Sequence, residues 1–312
     1  MKNIISISFL LFSLVSFAQN LELLDSLIKE QKLTFIKDLK YGNKERNNLD
    51  LLLPNSVNKT PLVIYLHSGG YRGGKKENSY KTRNLELVSK ILKANIAYAT
   101  INYSFLNNDD GLLSSLEDSK KALQFLKFNS EKYNIDKEKI IIWGVSSGAN
   151  SVLWLGLSDD MAEIEGDDLV SAESTKVKGI ISISGAHSFN SENWKRMINM
   201  DDEIFDLMIK GFLKYPGVDV KKWLQNYKDK RYQERIDYYK FMDPTDPPMF
   251  IANYGKMNPK NIFQFNHHPL HAKYLKQRAD SLNIKNIVYA PEIGIVDKSG
   301  KGIFEFIISN LN

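Results

Sequence analysis

The apolar run Ile140-Ile141-Ile142-Trp143 leads straight into Gly144-Val145-Ser146-Ser147-Gly148, and a segment able to form a helix to about Leu157 follows. A buried strand, a turn bracketed by glycines and a helix, in that order, commit this part of the chain to a strand–turn–helix unit. The glycines leave room for the helix to approach the strand end, and a residue at the apex of so sharp a turn is held in strained backbone. The hydroxyl of Ser146 then stands at the apex with the first amides of the helix nearby, the setting in which a serine serves as a nucleophile.

The rest of the chain repeats the alternation of strand and helix. A short amphipathic helix is expected over Leu21 to Lys32, followed by an opening hairpin of Leu33 to Leu39 and Arg46 to Leu53, closed by Pro54. Leu62 to Leu66, Ile96 to Asn102, Val177 to Ser184, Met249 to Asn253 and Ile287 to Ala290 read as compact strands. Helices are expected over Tyr80 to Leu92, Leu113 to Asn129, Pro269 to about Leu282 and Gly302 to Asn310. Strands separated by helical crossovers predict an α/β fold, with a mostly parallel central sheet and helices on both faces. The acidic stretch Asp159 to Ser174 reads as a surface excursion.

Phe189 to Phe241 breaks this rhythm with a dense aromatic segment: Trp194, Phe205, Phe212, Trp223, Tyr227, Tyr232, Tyr238 and Tyr239. It predicts a cap-like helical insertion over about 189–241. Two readings stand side by side: ordinary amphipathic helices covering the sheet, or a cap whose aromatics line a cleft.

The first residues, Met1-Lys2-Asn3, an apolar run from Ile4 to Val15, and Ser16-Phe17-Ala18-Gln19, follow the plan of a secretory signal peptide cleaved after Ala18. Residues 19–312 then form one domain. The run is shorter than the roughly 20 apolar residues that a membrane-spanning helix requires. The expected product is exported, periplasmic or extracellular, with no membrane span. The absence of cysteine excludes disulfides, thiolate catalysis and cysteine-bound metal. Lys and Arg number 42 against 37 Asp and Glu, and no basic tract is interleaved with aromatics, so no nucleic-acid partner is expected.

A second glycine-rich segment, His67-Ser68-Gly69-Gly70-Tyr71, follows the Leu62 strand. Together with the Ser146 turn it resembles the α/β-hydrolase superfamily, and more narrowly its secreted carboxylesterase, lipase and feruloyl-esterase-like branch. The resemblance runs from about Leu49 to Leu311. It includes Leu49 to Pro54, Ile101-Asn102-Tyr103, Asp118 and Tyr133-Asn134-Ile135-Asp136, with Ser104 where the family usually has Arg and Ser68 where it has Gly. It implies that Ser146 is the nucleophile and that the amides of Gly69, Gly70 and Ser147 receive a tetrahedral oxyanion.

The acid and the base of the family do not match. The acid's position holds Asn258, in Gly255-Lys256-Met257-Asn258-Pro259, and the base's segment is Pro291-Glu292-Ile293-Gly294-Ile295. Asn258 lacks the charge that steadies an imidazolium. One outcome is a site rebuilt from Asn266-His267-His268-Pro269-Leu270-His271, with His267 or His268 as base and Asp246, Glu292 or Asp297 orienting it. His67 and His187 are further pocket candidates. The blander reading of His267 and His268 is loop packing and helix capping ahead of Pro269. His267 and His271 are also four apart, a zinc-compatible spacing, but no resemblance supports it, and neither metal nor cofactor is expected. The other outcome is an α/β-hydrolase-like protein that has lost chemistry and binds a ligand or partner. The favoured expectation is hydrolysis of a carboxylic ester, a small-molecule or carbohydrate-linked one carrying acyl or feruloyl groups, through an acyl-serine.

Overall fold

The computed structural model describes residues 22–107, 109–198, 219, 221, 229–259 and 262–312. The expected signal segment and the aromatics Phe205, Phe212, Trp223 and Tyr227 lie outside them.

Residues 22–31 form helix α1, which lays Leu24 and Leu27 onto the domain. The strands are β1 (Thr34–Lys40), β2 (Asn48–Leu53), β3 (Thr60–Leu66), β4 (Ala97–Ile101), β5 (Ile135–Val145), β6 (Gly179–Ile183), β7 (Met249–Ala252), β8 (Asn286–Ala290) and β9 (Ile295–Val296). They build a single sheet in the order β1-β2-β4-β3-β5-β6-β7-β8-β9. From β4 to β8 every neighbouring pair is parallel, while β1, β2 and β9 add antiparallel edges. The two-residue β9 pairs with β8 through Tyr289–Val296 and Ala290–Ile295, and is too short to show as a period in the sequence.

The helices are α2 (Thr82–Lys93), α3 (Leu113–Phe128), α4 (Ser147–Leu157), α5 (Ser191–Ile198), α6 (Lys230–Ile236), α7 (Tyr238–Phe241), α8 (Ile262–Asn266), α9 (Pro269–Ser281) and α10 (Ile303–Leu311). One core lies under α3, α4 and α9, with Leu116, Leu123, Val152, Leu153, Ile180 and Leu275 buried. The other lies under α1, α2 and α10, with Val88, Ile91, Trp143, Phe250, Phe306 and Ile307 buried. Burial on both faces explains why β3 to β7 read as unbroken apolar runs rather than alternating ones.

The chain order reverses between β3 and β5, since β4 lies on one side of β3 and β5 on the other. Loops leaving neighbouring strands at such a reversal diverge and open a crevice at the carboxyl edge of the sheet. The His67 loop leaves β3 there, and Ser146 leaves β5 there.

The far end of the glycine loop is anchored by a buried lysine. Lys76 is 1% exposed and pairs at 2.8 Å with both Asp38 and Asp50, and at 2.9 Å with Glu77. Its backbone accepts from the Thr100 hydroxyl and donates to Asn102 Oδ1.

Candidate active site

Ser146 has φ 56° and ψ −115°, a left-handed conformation foreign to a residue with a side chain. The surroundings impose it. The Ser146 amide donates to the Ile183 carbonyl at the end of β6, and the Ser146 carbonyl accepts from the Asn150 amide in the first turn of α4. A Cβ on Gly148 would stand 2.1 Å from the Leu66 carbonyl oxygen, so only glycine lets α4 start against the end of β3.

The histidine that meets this hydroxyl comes from the other side of the crevice. His267 Nε2 lies 2.9 Å from Ser146 Oγ, a hydrogen bond spanning 121 residues of sequence. His267 occupies the short link between α8 and α9. Its carbonyl is pressed against Gly255, where any Cβ would come within 1.9 Å of that oxygen. Burial lowers the His267 pKa and no charged neighbour raises it. The ring is therefore neutral near pH 7, and in the tautomer protonated at Nδ1 its Nε2 lone pair is available to the serine proton.

Among the described residues no carboxylate is bonded to His267; the three sequence candidates for the orienting group, and Asn258 at the family's acid position, are held elsewhere. Asp246 precedes β7, at the sheet edge opposite to the one where Ser146 follows β5. There it accepts from the Asp243 amide, and burial, chiefly, raises its pKa to about 7. With four residues of β7 between the two edges, about 13 Å at the usual strand rise, Asp246 cannot orient His267. Glu292 is exposed and pairs with Lys256 at 3.0 Å. Asp297 accepts from the Ser299 amide and hydroxyl in its own turn. Asn258 is exposed and makes no bond to His267.

The remaining histidines are structural. His268 caps α9: Nδ1 accepts from the Leu270 amide at 3.2 Å and Nε2 donates to the Met257 carbonyl at 3.0 Å. With both nitrogens engaged, it is not the base. His67 is fully buried, its Nδ1–H bonded to the Ser68 carbonyl at 2.8 Å and its Nε2 facing the Arg46 guanidinium at 3.2 Å. Desolvation brings its pKa down to about 4 and keeps it neutral. His187 and His271 bond to each other, which also removes His271 from any zinc site with His267.

The oxyanion loop differs from expectation at one amide. Gly69 (φ 141°) and Gly70 (φ 61°) turn the chain away from β3. The Gly70 amide, however, donates to Ser147 Oγ at 3.0 Å and is not free to meet an oxyanion. Tyr103 explains why. Its hydroxyl donates to the His67 carbonyl at 2.5 Å and lies 3.2 Å from Ser147 Oγ. A phenol carries one proton, so Ser147 donates to Tyr103 and accepts from Gly70. Tyr71 adds a bond to the Ser147 carbonyl at 2.7 Å. The Gly69 and Ser147 amides have no protein acceptor among the described residues, and those two are the donors left for a developing negative charge.

Arg46 is a contributor that the sequence concealed. Its guanidinium bonds to the carbonyls of Tyr103 and Gly74 and lies 3.8 Å above the Phe105 ring. It thus reaches Tyr103 from the β1–β2 loop, beside the position where Ser104 stands in place of the family's arginine. A trough of about 1180 Å³ runs along the α2 and α10 face, its floor including Trp143 and Phe250 and its upper end Val145, Ser184 and Tyr254. Neither Ser146 nor His267 is among its lining residues.

The sheet order, the strained serine turn and the histidine facing it define an α/β-hydrolase fold with a serine–histidine pair at its carboxyl edge. The chain belongs to the BD-FAE family, whose model matches residues 49–259. Gut esterase 1 of Caenorhabditis elegans is 28% identical over 123 residues, 38% of this chain and 22% of the relative. A probable isoprenylcysteine alpha-carbonyl methylesterase of Arabidopsis thaliana is 27% identical over 154 residues, 49% of this chain and 31% of the relative. The matched regions thus span under a third of these two curated relatives. A truncated carbohydrate esterase from gut microbiota shares the fold, with a TM-score of 0.59 at 19% identity over 89% of this chain and 96% of that one.

Proposed function

We propose that the protein hydrolyses a carboxylic ester through an acyl-serine, with acyl groups on a carbohydrate as the substrate class. The observation that carries this reading is the 2.9 Å approach of His267 Nε2 to the hydroxyl of a strained Ser146. His267 takes the serine proton as Ser146 attacks the carbonyl carbon, and the Gly69 and Ser147 amides receive the oxyanion. The imidazolium returns its proton to the departing alkoxide. Water then repeats the sequence against the acyl-serine, releasing the acid. The carbohydrate part of the proposal is supported by the carbohydrate esterase that shares the fold. Export, to a periplasm or the outside, from the opening residues, belongs to the same proposal. No helix among the described residues is long and apolar enough to cross a membrane.

One observation favours a second reading, a ligand-binding protein with little turnover: no described carboxylate supports His267. Loss of the carboxylate from a protease triad slows turnover about 10⁴-fold. Turnover of p-nitrophenyl acetate and of acetylated xylan by the parent, absent in Ser146→Ala, separates the readings. Binding of the oligosaccharide with no turnover and no labelling by a fluorophosphonate supports the binder.

A further inference from the structure

His271, fully buried in the first turn of α9, joins three segments. Its Nε2 lies 3.0 Å from the Phe265 carbonyl, which also takes the His268 amide. A carbonyl only accepts, so Nε2 carries the proton and, in a neutral ring, Nδ1 is bare. That bare nitrogen accepts from the His187 amide at 3.2 Å and from His187 Nδ1–H at 2.8 Å. The tautomers of both rings are thereby fixed by their partners. Both are neutral: desolvation holds His187 down at about 3 and His271 well below the ordinary histidine value. Aromatic rings pack around the pair, with Tyr239 and Tyr274 each 5.3 Å from His187 and Trp194 5.2 Å from His271.

The pair closes a circuit around the reacting atoms. Ser146 bonds through its amide to Ile183, and Asn150, one turn into α4, accepts from the Ala186 amide at 2.8 Å. Residue 187 follows, and from it bonds run through His271 to Phe265, two residues before His267. His267 returns to Ser146 Oγ. Asn253 ties the same parts a second time, donating to the Gly185 and His268 carbonyls at 3.0 and 3.2 Å.

We propose that His187 and His271 are positioning residues, a neutral imidazole pair that holds His267 on Ser146 in a protein whose described residues place no carboxylate behind that ring. The pair fixes geometry and contributes no charge. The proposal rests on Ser146 and His267 being the reacting pair.

The test compares His271→Phe, which keeps volume and loses both bonds, with His271→Gln, whose amide can still donate to Phe265. Activity is expressed per site titrated by fluorophosphonate, and the His267 ring nitrogens are followed by NMR. His271→Phe is expected to lower kcat about 100-fold with KM within about threefold, the effect of an ångström-scale misplacement. His271→Gln is expected to recover most of it. His271→Phe with parental kcat per titrated site, whatever its melting temperature, overturns the proposal, as does a glutamine variant no better than phenylalanine. If His271→Phe does not fold, His187→Phe removes one side-chain donor and is expected to lower kcat about tenfold; parental kcat there overturns it equally. Should the parent show no turnover, the ester reading fails by itself. The ring spectra then decide: displaced His267 signals in His271→Phe support positioning, and unchanged signals refute it.

Discussion

Ser146 and His267 meet at 2.9 Å although nothing in the chain near either residue points to the other. The histidine reaches the serine from the link after β7, whereas the family resemblance placed the base after the last strand. General-base assistance is worth about 10²–10⁴ in rate. His267→Ala should therefore lower kcat by that amount while leaving the fold intact. His268→Ala should retain turnover and lose about 0.5–2 kcal/mol of stability, because it removes the α9 cap. Steady-state kinetics and thermal melts of the two variants check both statements.

Acid should switch the enzyme off along one limb. Burial depresses the His267 pKa, so the ring remains a base to lower pH than a free histidine. The prediction is a kcat/KM that rises with pH, reaches half its maximum below pH 6.5 and is flat to pH 8. A midpoint at or above 6.5 would mean that the ring is hydrated or paired with a carboxylate.

Stability should fall in acid for a related reason. His67, His187 and His271 are neutral in the folded chain, with His67 near 4 and His187 near 3, but take protons near 6.5 when unfolded. Between those values the unfolded chain binds more protons, so stability rises with pH and is lost as pH drops from 6.5 toward 4. Each such histidine contributes a slope of about 1.4 kcal/mol per pH unit at most. Melting temperatures from pH 4 to 8 should show the decline, and His67→Gln should flatten it.

Lys76→Met should be among the most damaging single changes outside the site. It leaves Asp50, 1% exposed, without its cation. Breaking a buried pair from one side costs about 3–5 kcal/mol. Lys76→Met combined with Asp50→Leu should recover part of that loss in denaturant melts.

Much of the sheet was legible because its information is local. Strands β3, β4 and β7 announce themselves as apolar runs, and glycines mark the turn at Ser146. The choice between His267 and His268 was not local: it depends on which ring the Met257 carbonyl and the Leu270 amide engage. Asp246 misled because a carboxylate beside a strand looks equally useful at either end, and only strand direction separates the edges. Gly70 matched the oxyanion motif, yet its amide is taken by a hydroxyl 77 residues away. Arg46 carried no motif, since its role arises only when β2 and β4 bring residues 46 and 103 together.

The most direct measurement is rapid quenching of the parent with p-nitrophenyl acetate, followed by mass spectrometry of the peptide holding residue 146. An acetyl group on Ser146, formed in a burst and lost in both Ser146→Ala and His267→Ala, is the predicted result. Turnover with no acyl group on that peptide, or an unchanged burst in His267→Ala, would contradict the account.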